Sequence, residues 1–368
     1  MSFVLFVLAI FSAVHIIIPC VYYVIMKRIA EKGSWNLSLS DNYQPTATVI
    51  VATYNEANVI VNKLQNLEEV DYPKGKLEVI IVDSASTDRT ASIAKTYITK
   101  NELSFNTLIL EENQRGGKAT ALNYALQHAS GDIIATSDAD CLWTPDSFRN
   151  AIRYLSDPSV AAVCGQEVPI NSNETLATRT ESQHRQLFNY IRIGESKINS
   201  TIVFEGALAL YKRELLQRFD ESCDDSGSAL NLVQKGYRTI MIPDAFFLNP
   251  FPSAWNLKIA KKTRRAQHLI EVWWRYLKLN AKRKLKLHAW IGRINIFLYI
   301  LNPLLFPIFI FTLLLLLLEC PALALAIPLM MLVPKTRDLS VLYVTNYLFL
   351  LIAIFREARG KKQIIWEK

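Results

Sequence analysis

The sequence lacks the glycine-rich loops with which two common nucleotide-binding folds hold phosphate. Neither a Gly-x-x-x-x-Gly-Lys-Ser/Thr loop nor a Gly-x-Gly-x-x-Gly pattern occurs in its 368 residues, which argues against a P-loop or dinucleotide-binding fold. Only five cysteines are present, and their spacing matches no metal site. We therefore expect them to be reduced and mostly buried, as in a protein that faces the cytosol.

Formal charge is absent from Phe3 to Met26. This run is long enough for the roughly 20 residues of a membrane-spanning helix. Lys27, Arg28 and Lys32 follow at once, and positive charge marks the cytosolic side. A signal peptide would be shorter, with a basic start and a small-residue cleavage site. Residues 1–28 are therefore predicted to be an uncleaved transmembrane anchor whose N-terminus lies outside and whose following domain is cytosolic.

Acidic residues are nearly absent between Trp255 and Arg293, where 12 lysines and arginines accompany a single acid, Glu271. This segment carries +11, whereas the whole chain carries +8. A basic patch would suit nucleic acid, but tryptophans and tyrosines alternate with the charges here, directly before an apolar run. That combination is typical of contact with anionic lipid headgroups. We expect residues 253–293 to form basic amphipathic helices on the lipid bilayer, and we expect no nucleic acid to bind.

The apolar C-terminal part allows more than one topology. Its apolar runs are Ile294 to Leu318, Ala322 to Val333 and Leu339 to Phe355. Three full crossings would put the following basic residues outside, against the positive-inside rule. Two crossings, with 339–355 in the interface or re-entering, keep them inside. We therefore expect 294–355 to form the transmembrane or re-entrant part and 356–368 a cytosolic tail.

Strand-like and helix-like segments alternate between residues 45 and 165. The expected strands are 47–53, 77–83, 105–110 and one from 133 to Asp138, and the expected helices are 57–69, 90–98 and 119–129. This order predicts an α/β fold whose parallel sheet is covered by helices. Ligands of such sheets bind beyond the carboxyl ends of the strands. Four polar clusters are therefore expected to meet at one edge: Thr53–Glu56, Asp83, Arg115–Lys118 and Asp138–Asp140.

Asp138 and Asp140 are separated by one alanine at the end of a buried strand. Since side chains alternate along a strand, both carboxylates are able to point the same way. Two hard oxygen ligands suit Mg²⁺ or Mn²⁺, with phosphate oxygens completing the shell. The alternative is a strand that simply runs into an acidic turn.

Taken together, these motifs resemble the nucleotide-binding half of glycosyltransferase family 2. The matching segments are Ala52-Thr53-Tyr54-Asn55-Glu56, Val82-Asp83-Ser84-Ala85-Ser86-Thr87-Asp88, Arg115-Gly116-Gly117-Lys118 and Asp138-Ala139-Asp140. The second half continues the match with Phe204-Glu205-Gly206-Ala207, Asp224-Asp225 and Arg264-Arg265, and the tail matches with Trp366-Glu367-Lys368. The resemblance covers about residues 45–293. It implies an inverting enzyme of the GT-A fold, with a mixed, mostly parallel sheet, that uses a nucleotide-sugar donor.

The resemblance divides this domain into a nucleotide-sugar-binding half, 45–165, and an acceptor-binding half, 166–252. On the donor side it implies contacts to base and ribose from Thr53, Tyr54, Glu56, Asp83 and Asp138, and contacts to the diphosphate from Lys118 and from Arg264 or Arg265. Asp140, helped by Asp138, would ligate the Mg²⁺ or Mn²⁺ ion. Plainer interpretations are a helix cap at Thr53–Glu56, a solvated Lys118 and a membrane-surface role for the arginines.

On the acceptor side the resemblance implies that Asp225 is the general base and that Asp224 helps to raise its pKa. An N-cap of a helix over 226–235 is the alternative for this pair. Acceptor contacts are expected from Gly206, Arg192, Glu195 and Ser196, with His184 and Arg185 as further candidates, although His184 is expected to be solvent-exposed. Lys261 and Arg265 replace the Gln and Trp of the family's Gln-x-x-Arg-Trp motif, and the missing Trp disfavours a processive synthase.

These expectations describe a glycosyltransferase of the cell membrane with a cytosolic catalytic domain. It would move one sugar from a UDP- or GDP-sugar to a hydroxyl of a membrane lipid or lipid-linked glycan, because such a hydroxyl needs a base. Three alternatives stay open: a polyprenyl-phosphate glycosyltransferase, a processive polysaccharide synthase and an inactive lipid-binding scaffold. The intact carboxylates at positions 138, 140 and 225 argue against the scaffold.

Overall fold

The computed structural model describes residues 3–282, 287–320 and 331–360. A long N-terminal helix, α1 (Phe3–Lys32), precedes a sheet of eight strands that is covered by helices on both faces. Further helices follow the sheet toward the C-terminus. Parts of four predicted segments lie outside the described residues, namely 1–2 of the anchor, 283–286 of the basic helices, 321–330 of the apolar C-terminal part and 361–368 of the tail, which include Trp366–Lys368.

The first half of the domain has the predicted alternation of strands and helices. Its elements are β1 (Ala47–Thr53), α2 (Ile60–Glu68), β2 (Leu77–Asp83), α3 (Thr90–Asn101), β3 (Asn106–Glu111), α4 (Lys118–His128) and β4 (Ile133–Asp138). The four strands are parallel neighbours in the order β3-β2-β1-β4. Their register places Thr53 beside Asp83 and Ala52 beside Asp138, so the predicted polar clusters share one sheet edge.

The second half completes the same sheet. Its elements are β5 (Leu142–Trp143), α5 (Ser147–Tyr154), β6 (Val160–Pro169), α6 (Leu176–Ile198), β7 (Ala209–Lys212), α7 (Ser226–Lys235) and β8 (Arg238–Asn249). The strand order continues β4-β7-β6-β8-β5. β7 is antiparallel to both β4 and β6, whereas β6 and β8 are parallel. The expectation of a mixed, mostly parallel sheet is confirmed.

Alternation along the strands divides the hydrophobic core between the two faces of the sheet. Val49 and Val51 of β1 pack into one buried cluster, and Ile50 between them packs into the other. Each such side chain contributes about 1.5–3 kcal/mol through burial. Because both faces are covered, β1 reads as a continuous apolar run rather than as an alternating one.

The basic segment begins as one long helix, α8 (Trp255–Ala281), whose apolar face belongs to the core. Its Trp273 and Tyr276 are each 1% exposed and pack in the same cluster as Ile50. The next helix, α9 (Ala289–Ile296), approaches α8 closely, since a Cβ atom on Gly292 would lie 1.7 Å from the Tyr276 hydroxyl. The helix predicted to rest on the membrane is thereby fixed to the catalytic domain.

A π-helical turn (Phe297–Leu301) leads into α10 (Asn302–Glu319), and α11 (Pro334–Ala358) is the last described helix. Within the described part of the chain, three helical segments are long and apolar enough to cross a membrane: Val4–Lys32, Ala289–Glu319 and Pro334–Ala358. His15 of α1 is fully buried, with its Nδ1 2.8 Å from Asn302 Oδ1 and its Nε2 2.5 Å from the Tyr343 hydroxyl. This polar contact joins α1, α10 and α11.

Helix α11 lies along the catalytic domain over much of its length. Near its start, Asp338 accepts a 2.9 Å hydrogen bond from Arg179 of α6. Near its end, Ala353 packs with Ala266 and Ile270 of α8. Contacts with the domain near both ends are what we expect of a helix in the membrane interface, although its 25 residues are also enough to cross.

Candidate active site

The carboxyl ends of β1 and β2 form one wall of the candidate site. Thr53 Oγ1 donates a 3.0 Å hydrogen bond to Asp83 Oδ1. The Asp83 carboxylate also accepts from the Ser86 backbone N–H at 3.1 Å and from the Ser86 hydroxyl at 2.6 Å. Asp83 and Thr53 are nearly fully buried, so this wall is rigid before any ligand arrives.

The turn after β1 carries Tyr54 and Glu56. Asn55 has a φ angle of +55°, in the left-handed region, and its backbone N–H donates to Ser86 Oγ at 2.8 Å. The Glu56 backbone N–H donates to Thr90 Oγ1 at 2.8 Å. Arg115, for which the sequence predicts no specific role, also contacts this turn. Its guanidinium lies 3.7 Å from the centre of the Tyr54 ring. Its only sequence signal is its place in the Arg-Gly-Gly-Lys loop.

Lys118 connects the donor wall to the acidic pair. It is the first residue of α4, and its Nζ lies 2.6 Å from Asp138 Oδ1 and 3.4 Å from Asp224 Oδ2. A Cβ atom on Gly206 would lie 3.3 Å from Lys118 Nζ and 3.3 Å from Asp225 Cβ. Five predicted residues from four separate places in the sequence therefore converge on one point, and a side chain at position 206 would crowd it.

The charges at this point shift each other's pKa values. Burial alone would lower the pKa of Lys118, but the carboxylates of Asp138 and Asp224 raise it, so the lysine stays charged. Burial and the neighbouring Asp224 raise the pKa of Asp225, and Lys118 opposes them. Asp225 also caps α7, since its Oδ1 accepts from the Ser226 backbone N–H at 2.5 Å. Asp225 is able to cap the helix and still have a raised pKa, because the cap uses only one of its two carboxylate oxygens.

Asp138, Asp140 and Cys141 place one ligand atom each within 4.8 Å of one another. Burial raises the pKa of the Cys141 thiol well above its usual value, and a sulfur atom is a softer ligand than the oxygens that Mg²⁺ and Mn²⁺ prefer. Burial and the Asp138 charge raise the pKa of Asp140. A bound cation would relieve the repulsion between the two close carboxylates. Their oxygens fit Mg²⁺ or Mn²⁺, which prefer oxygen ligands.

The two arginines of α8 both line the cleft, but they face different groups. Arg264 lies near the carboxylates that surround Lys118. Burial lowers the pKa of Arg264, and the charges of Asp138, Asp224 and Asp225 oppose this change. Arg265 instead places its Nη1 3.3 Å from Glu167 Oε2. The pKa of Asp138 is lowered, against the effect of burial, mainly by Lys118 and further by Lys261. Lys261 also partly offsets the rise in the pKa of Asp140.

The cleft, whose cavity volume is about 350 Å³ in all, continues from Asp225 toward the C-terminal apolar helices. Its far end is lined by residues from α6, from the segment before β7, from the π-helical turn and from α11. They include His184, Arg185, Phe188, Glu205, Tyr299, Asn346, Phe349 and Leu350. One continuous cavity thus joins the carboxylates of Asp138, Asp224 and Asp225 to side chains of two helical segments that are long enough to span a membrane.

Of the predicted acceptor residues, Gly206 lines the cleft, whereas Arg192, Glu195 and Ser196 are buried elsewhere. Arg192 Nη1 donates to Glu195 Oε2 at 2.8 Å, and the Tyr22 hydroxyl donates to Glu195 Oε1 at 2.5 Å. Ser196 Oγ donates to the Arg192 carbonyl at 2.6 Å. These residues lie on α6 beyond the cleft, since Arg192 is about 10 Å further along the helix than Arg185. They join α1 to the catalytic domain.

His184 is half-buried, so the expectation of a solvent-exposed side chain is wrong. Its Nδ1 lies 3.1 Å from the Asn346 amide nitrogen, and helix α11 covers it on that side. Burial and the nearby Lys262 charge hold its pKa well below the usual value. The sequence also predicts no role for Glu205, although the residue lies within a recognised motif beside Gly206.

Comparison with known proteins gives a consistent result. A family model described as glycosyl transferase family 2 matches residues 48–219. The mannosyltransferase PcManGT of Pyrobaculum calidifontis, solved in complex with GDP-Man and Mn²⁺, is 33% identical, with a TM-score of 0.81 over 97% of this chain and 99% of that one. An N-acetylglucosaminyltransferase of Rhizobium leguminosarum bv. viciae is 27% identical over 62% of this chain and 57% of its own length.

A further relative, the probable glycosyltransferase YdaM of Bacillus subtilis, is 27% identical over 61% of this chain and 55% of its own length. The chain therefore spans little more than half the length of the curated relatives it matches.

Proposed function

The chain belongs to glycosyltransferase family 2 and has the GT-A fold, and from that premise we propose that it transfers one sugar, with inversion, to a hydroxyl of a membrane-anchored acceptor. The observation that carries this proposal is the convergence of Lys118, Asp138, Asp224 and Asp225 in one cleft that reaches the membrane helices. Glycosyltransferase activity itself follows from the family.

The donor lies, in this proposal, between the β1–β2 wall and the start of α4. Asp83 accepts hydrogen bonds from the nucleoside, Thr53 fixes Asp83, and Tyr54 and Glu56 border the base and ribose. Lys118 and Arg264 supply fixed positive charge beside the diphosphate, and arginine suits phosphate because its N–H groups bind it in pairs.

Asp138 and Asp140 would hold a Mg²⁺ or Mn²⁺ ion. When bound, such an ion offsets the negative charge that develops on the departing diphosphate. Lys118 lies close enough to Asp138 to pair with it without substrate, and diphosphate would compete for the same ammonium group. Binding of the donor diphosphate to Lys118 would therefore weaken the ion pair between Lys118 and Asp138.

Asp225 acts as the general base. The acceptor oxygen forms a bond to C1 of the sugar while the bond from C1 to the diphosphate breaks, and the diphosphate leaves with the electron pair. The acceptor proton passes to Asp225. Asp224 and burial raise the pKa of Asp225, which strengthens it as a base. A single displacement of this kind inverts the configuration at C1.

A GDP-sugar is the donor we propose first, because the structural relative that matches nearly the whole chain was solved with GDP-Man. UDP-sugars remain the second choice, since the sequence allows both. Incubating detergent-solubilised protein with a panel of nucleotide sugars and extracted lipids, with products identified by mass spectrometry, tests the choice. A glycosylated lipid is expected; failure to transfer or hydrolyse any donor would refute the function.

The catalytic domain is proposed to lie on the cytosolic face of the cell membrane. Three helical segments are apolar enough to span, and Lys27, Arg28 and Lys32 follow the first of them. Trp274 and Trp290, which are 41% and 38% exposed, suit the headgroup layer. Protease protection of the domain in sealed, inside-out vesicles would contradict this orientation.

A polyprenyl phosphate is the alternative acceptor, and it differs chemically at the reacting atom. A phosphate oxygen is already ionised near neutral pH and needs no base, whereas a hydroxyl does. The burial of Asp225 beside Asp224 is better explained by a hydroxyl acceptor. Substitution of Asp225 therefore separates the two acceptors.

A further inference from the structure

Glu205 lies where the cleft turns from the base toward the membrane helices. It directly precedes Gly206, and its side chain is 13% exposed and lines the cleft. The Arg185 guanidinium donates to Glu205 Oε1. Within the described part of the chain, Oε2 has no hydrogen-bond partner. One oxygen is thus fixed in place, and the other is available to a ligand.

Arg185, which holds Glu205, is the centre of a buried charge network. Its Nη2 lies 2.5 Å from Glu167 Oε2, and its Nε lies 3.4 Å from Glu181 Oε1. The neighbouring Lys262 places its Nζ 2.9 Å from Glu181 Oε1. These cations are already committed to buried carboxylates, and separating such pairs is costly. A phosphate group would find little uncommitted positive charge at this end.

His184 offers the complementary group. The amide nitrogen of Asn346 has only hydrogens to donate, so Nδ1 of His184 accepts and the ring proton resides on Nε2. Burial and the positive charge of Lys262 hold the pKa of His184 well below the usual value, against the opposing charge of Glu181, so the imidazole is neutral. A neutral N–H donor and a carboxylate acceptor that line the same cleft suit the hydroxyl groups of a sugar.

The wall beyond these residues is apolar. Phe349 and Leu350 of α11 line the cleft together with Phe188 of α6. Helix α11 contacts α1 and α10 through the buried His15 and Asn302, so this wall continues toward the helices that are apolar enough to span a membrane. A chain attached to the sugar would leave the cleft along it.

We propose that this end of the cleft binds the sugar unit of a lipid-linked saccharide, with Glu205 accepting hydrogen bonds from its hydroxyls and His184 donating one. The inference rests on the proposed function and narrows its acceptor from any membrane hydroxyl to a saccharide. Glu205 and His184 are binding residues in this account, and Asn346 positions His184.

Three acceptors with the same chain but different headgroups provide the test: an octyl glycoside, octanol and octyl phosphate. With the donor identified by mass spectrometry, the wild-type protein is expected to glycosylate the octyl glycoside in preference to the other two. Equal or faster transfer to octanol or octyl phosphate would overturn the saccharide inference while leaving glycosyl transfer intact. Absence of both transfer and donor hydrolysis would instead refute the proposed function.

Substitution of Glu205 tests whether this residue binds the saccharide. Glu205→Gln keeps a partner for Arg185 but replaces the second carboxylate oxygen with an amide N–H group. The variant is expected to raise the KM for the octyl glycoside about 10- to 100-fold, because a buried sugar hydroxyl is left without its acceptor. The dissociation constant for the nucleotide sugar should not change. Glu111→Gln, at an exposed residue paired with Lys95, is the control and should behave as wild type. A Glu205→Gln enzyme with an unaltered KM would overturn the proposal.

His184 is tested by a pair of substitutions that differ in one property. His184→Phe removes the N–H donor and is expected to raise the KM for the octyl glycoside. His184→Gln retains a donor, and its KM for the octyl glycoside should lie close to that of the wild type. Equal kinetics for the two variants would contradict a donor role for His184. Nucleotide-sugar binding, measured on the same samples, verifies that both proteins are folded.

Discussion

The ammonium group of Lys118 lies 2.6 Å from a carboxylate oxygen of Asp138. Lys118 begins α4, where a positive charge opposes the helix dipole, and Asp138 ends the strand that follows. The nearby carboxylates compensate for this unfavourable position. The same lysine also lies 3.4 Å from Asp224, so one cation connects the proposed metal-ligand pair, Asp138 and Asp140, with the pair that contains the proposed base, Asp225.

Replacing Lys118 by glutamine is expected to weaken nucleotide-sugar binding. The diphosphate would lose a charge-assisted hydrogen bond, which corresponds to about a 10- to 100-fold higher dissociation constant. Isothermal titration calorimetry with GDP-mannose measures this directly. Lys95→Gln removes an exposed lysine on α3 and should bind as wild type does; identical affinities for the two variants would exclude Lys118 from the donor site.

Asp224→Asn is expected to shift the pH profile of turnover. Burial and Asp224 raise the pKa of Asp225, so activity falls as the pH falls through that raised pKa and the base becomes protonated. Removing the Asp224 charge lowers the pKa of Asp225, and the acid limb of the kcat profile should move to lower pH. Asp71→Asn, at an exposed surface residue, is the control. An acid limb that stays in place or moves upward would contradict the pairing.

Asp140→Ala is expected to raise the Mn²⁺ or Mg²⁺ concentration needed for half-maximal activity by about tenfold or more, since one of two carboxylate ligands is lost. Wild-type activity should disappear in a chelator and return when the metal is added back. Asp71→Ala serves as the control. Undiminished wild-type activity in excess chelator would refute the metal assignment.

Substitution of Arg192 shows whether this residue has a structural role or the acceptor-binding role that the sequence predicts. Arg192 and Glu195 form a buried ion pair, and losing one partner of such a pair costs about 3–5 kcal/mol. Arg192→Met is therefore expected to lower the melting temperature in detergent. Arg218→Met breaks an exposed pair of the same spacing, Arg218–Glu221, and should cost no more than about 1 kcal/mol. A higher acceptor KM for Arg192→Met with no loss of stability would favour the sequence prediction.

Much of the donor half could be predicted from the sequence because its signals are local. β1 occupies the predicted residues 47–53, since a continuous apolar run is typical of a strand buried on both faces. The helix predicted from residue 57 begins instead at Ile60, because the Glu56 and Ala57 N–H groups bond to Thr90 and Asp88 and hold the turn open.

The acceptor end could be predicted less well because it depends on contacts between distant helices. His184 is half-buried, and one of the residues packed against it is Asn346, 162 residues later in the chain. Arg192 and Glu195 share a face of α6 with Arg185, and periodicity alone does not reveal that the cleft ends between them. The role of Glu205 depends on Arg185 and its buried partners, which no local pattern indicates.

The most direct test of the account is the effect of Asp225→Asn on transfer and on donor binding. Asparagine is a good N-cap, so α7 should persist and the dissociation constant for the nucleotide sugar should remain near that of the wild type. Turnover with a hydroxyl acceptor is expected to fall by about 100-fold or more, the effect of removing a general base. Wild-type turnover by this variant would contradict Asp225 as the base and, with it, the hydroxyl acceptor.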